Sequence, residues 1–232
     1  MAEGGPQDRL VIFDCDGVLV DSEPISIAVL TEAIAAAGGS IDQRTAYRRF
    51  LGRSMATIVQ DLRDEFSLAL SPDQLSQMRA RLHARFEVEL QPVEGVAEAL
   101  EAIPARFCVA SSSQPERIRH SLRVTGLLES FEPAIYSSTM VVHGKPAPDL
   151  FLHAAAAMGV VPQRCIVVED SPAGIQAAKA AGMAVLAFIG GSHAGECGLA
   201  EKAAVLKPDG IFDDMRQLPK LVRQMTARVK RL

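Results

Sequence analysis

The sequence predicts an α/β fold in which a doubly wound parallel sheet carries an inserted all-α domain. Five short apolar runs are typical of strands buried on both faces of a sheet, because they lack the polar–apolar alternation of a half-exposed strand. They lie at residues 10–13, 107–110, 134–136, 165–168 and 184–189. Alanine-rich helical patterns accompany the last four runs, at residues 95–102, 115–125, 148–158 and 172–181. Strands that alternate with helices favour a parallel sheet covered by helices on both faces.

One interval breaks this alternation. Residues 23–86 contain helical patterns and no convincing strand pattern, and the helical patterns lie at residues 25–37, 45–51, 55–66 and 72–86. Segments rich in turn-forming residues flank the interval at 20–24 and 90–95. We therefore expect a core formed by residues 1–20 and 91–232 and a helical cap formed by residues 21–90. The alternative of two sequential domains would leave the first strand without a sheet to join.

The composition argues against several functional classes. The chain has 232 residues, 24 Lys and Arg against 28 Asp and Glu, 5% aromatic residues and no Trp. This charge balance gives no basic surface for nucleic acid or an anionic membrane, and few rings are available to stack on bases. No run approaches the roughly 20 apolar residues of a membrane span, and the first residues lack the order of a signal peptide. We expect a cytoplasmic protein that binds neither nucleic acid nor membrane, as a monomer or weak homodimer.

Charged and hydroxyl side chains follow three of the predicted strands and occupy one later loop. They are Asp14 and Asp16 after the first run, Ser111, Ser112 and Ser113 after the second, Lys145 in the loop, and Glu169 and Asp170 after the fourth. Because ligands of doubly wound sheets bind outside the carboxyl ends of the strands, we expect these side chains to meet there. Each feature alone also has a structural explanation, such as a plain turn at Asp16-Gly17.

The carboxylates in this set predict a metal site. Four carboxylates at one sheet edge repel one another unless a cation lies among them. Carboxylate oxygens suit a hard ion, and we predict Mg²⁺. With a metal in place, one carboxylate can attack phosphorus, and a second, two residues on, can protonate the departing oxygen and later deprotonate water. The lysine, a serine hydroxyl and nearby N–H groups would hold the phosphate oxygens.

Four motifs in the sequence resemble those of the haloacid dehalogenase superfamily, in the same order and over essentially the whole chain. The first runs from Asp14 to Ser22, the second contains Ser111, the third contains Lys145, and the fourth is Glu169-Asp170-Ser171. The helical insertion is similar to the small cap of the β-phosphoglucomutase-like subfamily. The resemblance implies a Rossmann-like core and a phosphoryl group that passes through an aspartate.

The resemblance also implies a role for each motif residue. Asp14 would be the nucleophile and Asp16 the general acid/base. Ser111, with Ser112 beside it, and Lys145 would bind the phosphoryl group.

The same resemblance implies the metal ligands. Mg²⁺ would be held by the Asp14 carboxylate, the Asp16 backbone carbonyl and Asp170. Glu169 would be either a further ligand or a close neighbour of the metal.

Three other reactions of the superfamily fit the sequence less well. The dehalogenase branch lacks the second aspartate of the first motif, so Asp16 argues against it. Phosphonate cleavage uses a cap lysine that forms a Schiff base, whereas this chain has Arg53, which keeps its proton. At the positions of two cap residues of β-phosphoglucomutase, a histidine and an arginine, this chain places Ser26 and Met55. Because Arg53 lies near, the phosphosugar mutase stays an alternative.

We therefore predict a Mg²⁺-dependent phosphatase that forms an aspartyl-phosphate on Asp14 and acts on a small sugar or sugar-acid phosphate. The chain resembles most the bacterial 6-phosphogluconate phosphatase branch, on softer similarities such as Cys108-Val109 and the segment 151–159. Phosphoglycolate is an alternative substrate. A non-enzymatic domain that binds a phosphate ligand or a partner protein is the alternative of a different class.

Candidate substrate-binding residues are those of the cap and the core that we expect to face the part of the substrate beyond the phosphate. They are Glu23, Arg53 and Ser54 on the cap side, and Ser113 and Gln114 on the core side. We expect the cap to open and close about its two connecting segments, which would expel water and gate product release.

One glycine-rich segment lies outside these motifs. Residues 190–193 read Gly-Gly-Ser-His after the last predicted strand, without the spacing of a phosphate-binding loop. We expect a flexible exit loop there.

Overall fold

A computed structural model of the chain describes residues 9–51, 53 and 55–229. Among these residues, six strands form one sheet in which every pair of neighbours is parallel, in the order β3-β2-β1-β4-β5-β6. The strands are β1 Leu10–Phe13, β2 Arg106–Ser111, β3 Ile135–Ser137, β4 Cys165–Glu169, β5 Ala184–Phe188 and β6 Gly210–Phe212. The doubly wound α/β prediction is confirmed. Only β6 has no counterpart among the predicted strands.

Helices lie on both faces of the sheet and, between β1 and β2, form a group of their own. That group is α1 Glu23–Ala36, α2 Gln43–Phe50, α3 Met55–Phe66 and α4 Pro72–Glu89. The others are α5 Val96–Ala102, α6 Pro115–Val124, α7 Leu128–Phe131, α8 Asp149–Ala157, α9 Pro172–Ala180, α10 Ala194–Cys197, α11 Leu199–Leu206 and α12 Leu218–Val229. Side-chain capping fixes where several begin; at α4, Ser71 and Gln74 form a reciprocal capping box.

The sheet is buried on both faces by helices, as the central strand β1 shows. Val11 and Phe13 pack into one hydrophobic cluster, which continues into helices α1–α4. Leu10 and Ile12 point to the opposite face and pack into a second cluster with helices α8 and α9. This burial explains why β1 is apolar at every position.

The two segments that connect helices α1–α4 to the sheet lie side by side. The backbone N–H of Asp21 donates to the carbonyl of Gln91 at 3.0 Å, and the N–H of Val93 donates to the carbonyl of Leu19 at 2.9 Å. Entry and exit are therefore held together close to the carboxyl end of β1. In the described part of the chain, no helix combines the length and the apolar character needed to cross a membrane.

Candidate active site

The carboxyl ends of β1, β2 and β4 bring together most of the residues that the sequence singles out. Asp14 follows β1, and its backbone N–H donates to the carbonyl of Val168 in β4 at 3.0 Å. Ser111 ends β2, while Glu169 ends β4 and Asp170 follows it. Asp14, Ser111, Glu169 and Asp170 are all buried. The parallel register thus places the first, second and fourth motifs at one edge of the sheet.

Lys145 joins this edge from the loop before α8. Its Nζ lies 2.9 Å from Oδ1 of Asp14 and donates to Oε1 of Glu169 at 2.7 Å, and its side chain is only 4% exposed. Burial acts to lower the pKa of Lys145, but the two carboxylates outweigh burial and the pKa is raised. Lys145 is therefore a permanent cation between the predicted nucleophile and Glu169.

Both oxygens of Glu169 are occupied by protein donors. Oε1 accepts from Lys145, and Oε2 accepts from the Ser171 N–H at 2.7 Å and the Ser171 hydroxyl at 2.9 Å. The Ser171 hydroxyl in turn accepts from the N–H of Gly174 and caps α9. A Cβ added at Gly174 would lie 1.7 Å from Oε1 of Glu169, so only glycine leaves room for this carboxylate. These bonds favour Glu169 as the partner that orients Lys145.

Three buried carboxylates lie close enough to hold one cation. Asp14, Glu169 and Asp170 each offer an oxygen within 4.8 Å of those of the other two. Burial raises the pKa of Asp14 and of Asp170, and Glu169 raises both further, against the opposing effect of Lys145. Such crowding fits a hard divalent cation, which would compensate the negative charge that Lys145 leaves unbalanced. The donor set therefore agrees with the predicted Mg²⁺ site.

Asp16 lies in a separate network of hydrogen-bond donors. Ser22 donates to Oδ1 at 2.6 Å, Ser113 donates to Oδ2 at 2.8 Å, and Arg117 donates to Oδ1 at 3.1 Å. Burial acts to raise the pKa of Asp16, but Arg117 and the two hydroxyls outweigh it and the pKa is lowered. The sequence interpretation included Ser113 but missed Arg117. The one feature of the sequence that could have identified Arg117 is its place as a basic residue in the first turn of a helix that starts at this sheet edge.

The remaining core-side candidates have less direct positions. The Ser111 hydroxyl accepts from the N–H of Ser113 at 3.2 Å, which orients the loop. Ser112 is exposed, and its carbonyl accepts from the Ser138 hydroxyl at 2.9 Å. Gln114 is exposed at the N-cap of α6, without a side-chain capping bond.

Of the cap-side candidates, Glu23 lies near the site, whereas Arg53 forms an ion pair within the proposed cap. Glu23 starts α1, and burial, with the nearby Asp16 and Asp170, raises its pKa to about 8. Arg53 is exposed and bonds Asp61 of α3. Ser54 lies outside the described residues. Of the cap-side candidates that are described, Glu23 is therefore the one whose charge environment is set by the sheet edge.

Residues 190–193 form the predicted loop after β5, and part of this loop packs against the site. His193 is 1% exposed, and its Nε2 lies 3.1 Å from Oδ2 of Asp170. Ser192 donates its N–H to Oδ1 of Asp21 at 3.3 Å. The composition did not predict the contact of His193 with Asp170, because it is a tertiary contact that the local sequence does not signal.

Comparisons with known proteins cover nearly the whole chain. A family model described as haloacid dehalogenase-like hydrolase matches residues 9–182. The chain is 33% identical to 6-phosphogluconate phosphatase of Escherichia coli (strain K12) over 212 residues, 91% of this chain and 93% of that protein.

Two solved structures are also similar. A conserved haloacid dehalogenase-like protein of unknown function from Agrobacterium tumefaciens (strain C58) is 37% identical, with a TM-score of 0.82 over 94% of this chain and 98% of that one. A hydrolase of the same family from Deinococcus radiodurans R1, solved with bound phosphate and sodium, is 31% identical, with a TM-score of 0.78 over 96% and 97%. The likeness thus extends over the sheet and over the helices between β1 and β2.

Proposed function

Because the chain belongs to the haloacid dehalogenase-like hydrolase family and is a phosphatase, we propose that it hydrolyses a small sugar or sugar-acid phosphate through a phosphorylated Asp14. The observation that carries the proposal is the contact between Asp14 and Lys145 inside a cluster of buried carboxylates. A buried carboxylate beside a fixed cation is suited to attack a phosphate dianion, whose charge would otherwise repel it.

The reaction consists of two displacements at phosphorus. An oxygen of Asp14 attacks phosphorus, the ester P–O bond breaks, and the departing alkoxide takes a proton from Asp16. Water then attacks the phosphorus of the aspartyl-phosphate and gives a proton to Asp16, and the bond between phosphorus and Asp14 breaks. Asp16 is thereby returned to its protonated form. Because Arg117, Ser22 and Ser113 lower the pKa of Asp16 in this structure, we propose that bound substrate displaces part of this donor network before Asp16 acts as the acid.

Lys145 and the serines at the end of β2 hold the phosphoryl group in this scheme. Lys145 already lies against Asp14, and Glu169 fixes it from the other side. Ser111 and Ser112 offer a hydroxyl and backbone N–H groups at the same sheet edge. Asp14, Asp170 and the Asp16 carbonyl would hold Mg²⁺, which would supply charge neutralisation for the phosphoryl oxygens.

We propose residues 21–90 as a cap that selects the leaving group, on a core of residues 1–20 and 91–232. The two segments that connect the cap to the core are joined by the hydrogen bonds from Asp21 to Gln91 and from Val93 to Leu19. They suit a hinge, because the two hydrogen-bonded segments would bend together. Glu23, at the base of the cap, is the candidate contact for substrate hydroxyls. Cytoplasmic location and a monomeric or weakly dimeric state stay predictions.

The substrate class is supported by the relative from Escherichia coli, whose name specifies 6-phosphogluconate. The test is a panel of 6-phosphogluconate, glucose 6-phosphate, fructose 1-phosphate and phosphoglycolate, each with Mg²⁺ and with EDTA. We expect phosphate release from a sugar or sugar-acid phosphate that EDTA abolishes, with Asp14→Asn inactive. Mass spectrometry of quenched wild-type enzyme should find one phosphoryl group on the peptide that contains Asp14.

Other outcomes separate the alternatives. Preference for phosphoglycolate would indicate that the substrates are phosphate esters of short hydroxy acids and not of sugars. Conversion of β-glucose 1-phosphate to glucose 6-phosphate without phosphate release would indicate a mutase, and would show that Ser26 and Met55 do not exclude that reaction. Full activity of Asp14→Asn would overturn the aspartyl-phosphate.

A further inference from the structure

His193 reaches the metal site from a loop that the four motifs do not include. It follows β5 and precedes α10, and its imidazole is buried against Asp170, 23 residues earlier in the chain. The contact joins Nε2 of the ring to Oδ2 of the carboxylate at 3.1 Å. Nothing in the phosphoryl-transfer scheme uses this ring, so the contact needs its own explanation.

Two glycines make the space in which the ring lies. A Cβ at Gly17 would lie 2.2 Å from Oδ2 of Asp170 and 3.0 Å from Cε1 of His193. A Cβ at Gly191 would lie 2.7 Å from Cε1 and 2.9 Å from Nδ1 of the same ring. Side chains at either position would therefore displace the imidazole or the carboxylate.

The loop is also fixed at both sides of the ring. The N–H of Ser192 donates to Oδ1 of Asp21, and the carbonyl of His193 accepts from the N–H of Cys197 in α10 at 3.2 Å. These backbone bonds hold the loop on either side of His193, and Gly17 and Gly191 leave the space that the ring fills. A ring held in this way can orient its carboxylate partner.

The protonation of the ring follows from its neighbours. With the cation bound, the Asp170 carboxylate is ionised and only accepts hydrogen bonds, so Nε2 would carry the hydrogen that it shares with Asp170. Among the described residues, Nδ1 has no hydrogen-bond partner and is buried, which suits a lone pair better than an N–H. With its hydrogen on Nε2 and a lone pair on Nδ1, the ring is neutral.

We propose that His193 is a positioning residue that holds the Asp170 carboxylate for the divalent cation. A neutral donor fixes one oxygen of Asp170 without adding a positive charge, so the carboxylate keeps its negative charge for the cation. Lys145 acts differently on Glu169, because the positive charge of Lys145 neutralises the negative charge of the Glu169 carboxylate. The inference rests on the proposed metal site, and hydrogen-bonded partners of metal ligands typically change metal affinity by about 10- to 100-fold when they are removed.

The experiment is a direct measurement of metal binding. Isothermal titration of Mg²⁺, and paramagnetic resonance of Mn²⁺, would be compared in the wild type, His193→Leu and His193→Gln. We expect His193→Leu to bind about 10- to 100-fold more weakly, and His193→Gln, whose amide N–H can replace the donor, to recover part of the loss. Gly191→Ala, which leaves the histidine present but pushes against its ring, should weaken binding in the same direction.

Cys197→Ala is the matched control, because Cys197 is buried in the same segment and contacts no site carboxylate in any described hydrogen bond. It should lower thermal stability without changing metal affinity. Wild-type affinity in His193→Leu, or in both His193→Gln and Gly191→Ala if His193→Leu does not fold, would overturn the proposal. If the wild type binds metal and shows the His193 effect but hydrolyses no phosphate ester, the proposed function fails while the inference stands.

Discussion

The guanidinium of Arg117 lies 3.1 Å from Oδ1 of Asp16 and 5.4 Å from the ring centre of Phe86. Arg117 belongs to α6 beside the sheet, whereas Phe86 belongs to α4, one of the helices between β1 and β2. One side chain thus joins the acid/base candidate to the proposed cap. The cation over the ring adds roughly 0.5–2 kcal/mol to the contact between these two parts.

Replacing Arg117 should lower turnover as well as weaken the contact between α6 and α4. We expect Arg117→Met to lower kcat on a sugar phosphate by roughly 10²-fold, within the range that general acid–base catalysis contributes, because Asp16 loses the charged one of its three donors. Arg119→Met is the control, since Arg119 is exposed, lies two residues on and pairs with Glu132. Equal kcat values for the two variants in steady-state assays would contradict the orienting role.

How far the sequence predicts this site depends on which contacts are local. Asp14, Lys145 and Asp170 belong to motifs whose spacing is visible in the sequence, and the apolar strands predict the edge where they meet. Arg117 and His193 became part of the site only through tertiary packing, because neither their neighbours nor their spacing marks them. Strand β6 escaped prediction because it has three residues, of which Gly210 is a weak strand former and Ile211 is exposed.

Gly174 should be intolerant of the smallest side chain. Alanine normally stabilises a helix relative to glycine by about 1 kcal/mol, but a Cβ here would overlap Oε1 of Glu169. We expect Gly174→Ala to destabilise the protein by about 1–3 kcal/mol or more in urea unfolding. Gly195→Ala, in helix α10 with no atom near the added Cβ, should be neutral or stabilising. If both variants behave alike, the close packing of Glu169 on α9 is not as described.

Lys145 should stabilise the fold as well as bind phosphate. Lys145→Met leaves Asp14 and Glu169 buried without their cation, and breaking a buried ion pair in this way costs about 3–5 kcal/mol. The measurement is urea unfolding with EDTA present, at neutral pH. Adding Glu169→Gln should cost less in the Lys145→Met background than in the wild type, since one of the unpaired charges is then removed.

Lys179→Met serves as the control for this series, because Lys179 lies on the surface and donates only to carbonyls at the end of α11. Its loss should cost less than 1 kcal/mol, about the value of an exposed polar contact. Additive losses in the Lys145 and Glu169 double variant would argue against their pairing.

The raised pKa of Glu23 predicts that the stability of the protein depends on pH. Its pKa is raised to about 8 in the folded protein from an ordinary value of 4.5, chiefly by burial. Between these two values the folded state holds a proton that the unfolded state has lost, so stability due to this residue falls as the pH rises through that window. Glu23→Gln removes the titration and mimics the protonated form.

The free energy of unfolding of Glu23→Gln relative to the wild type should therefore increase from about pH 5 to pH 8 and level off above it. The slope of the difference approaches but does not exceed about 1.4 kcal/mol per pH unit, the value for one proton. Glu32→Gln is the control variant, because Glu32 lies on the same helix, is exposed and pairs with Arg81. A difference between Glu23→Gln and the wild type that is constant across this range would mean that Glu23 is solvated and charged in the folded protein, and would remove it as the candidate contact for substrate hydroxyls.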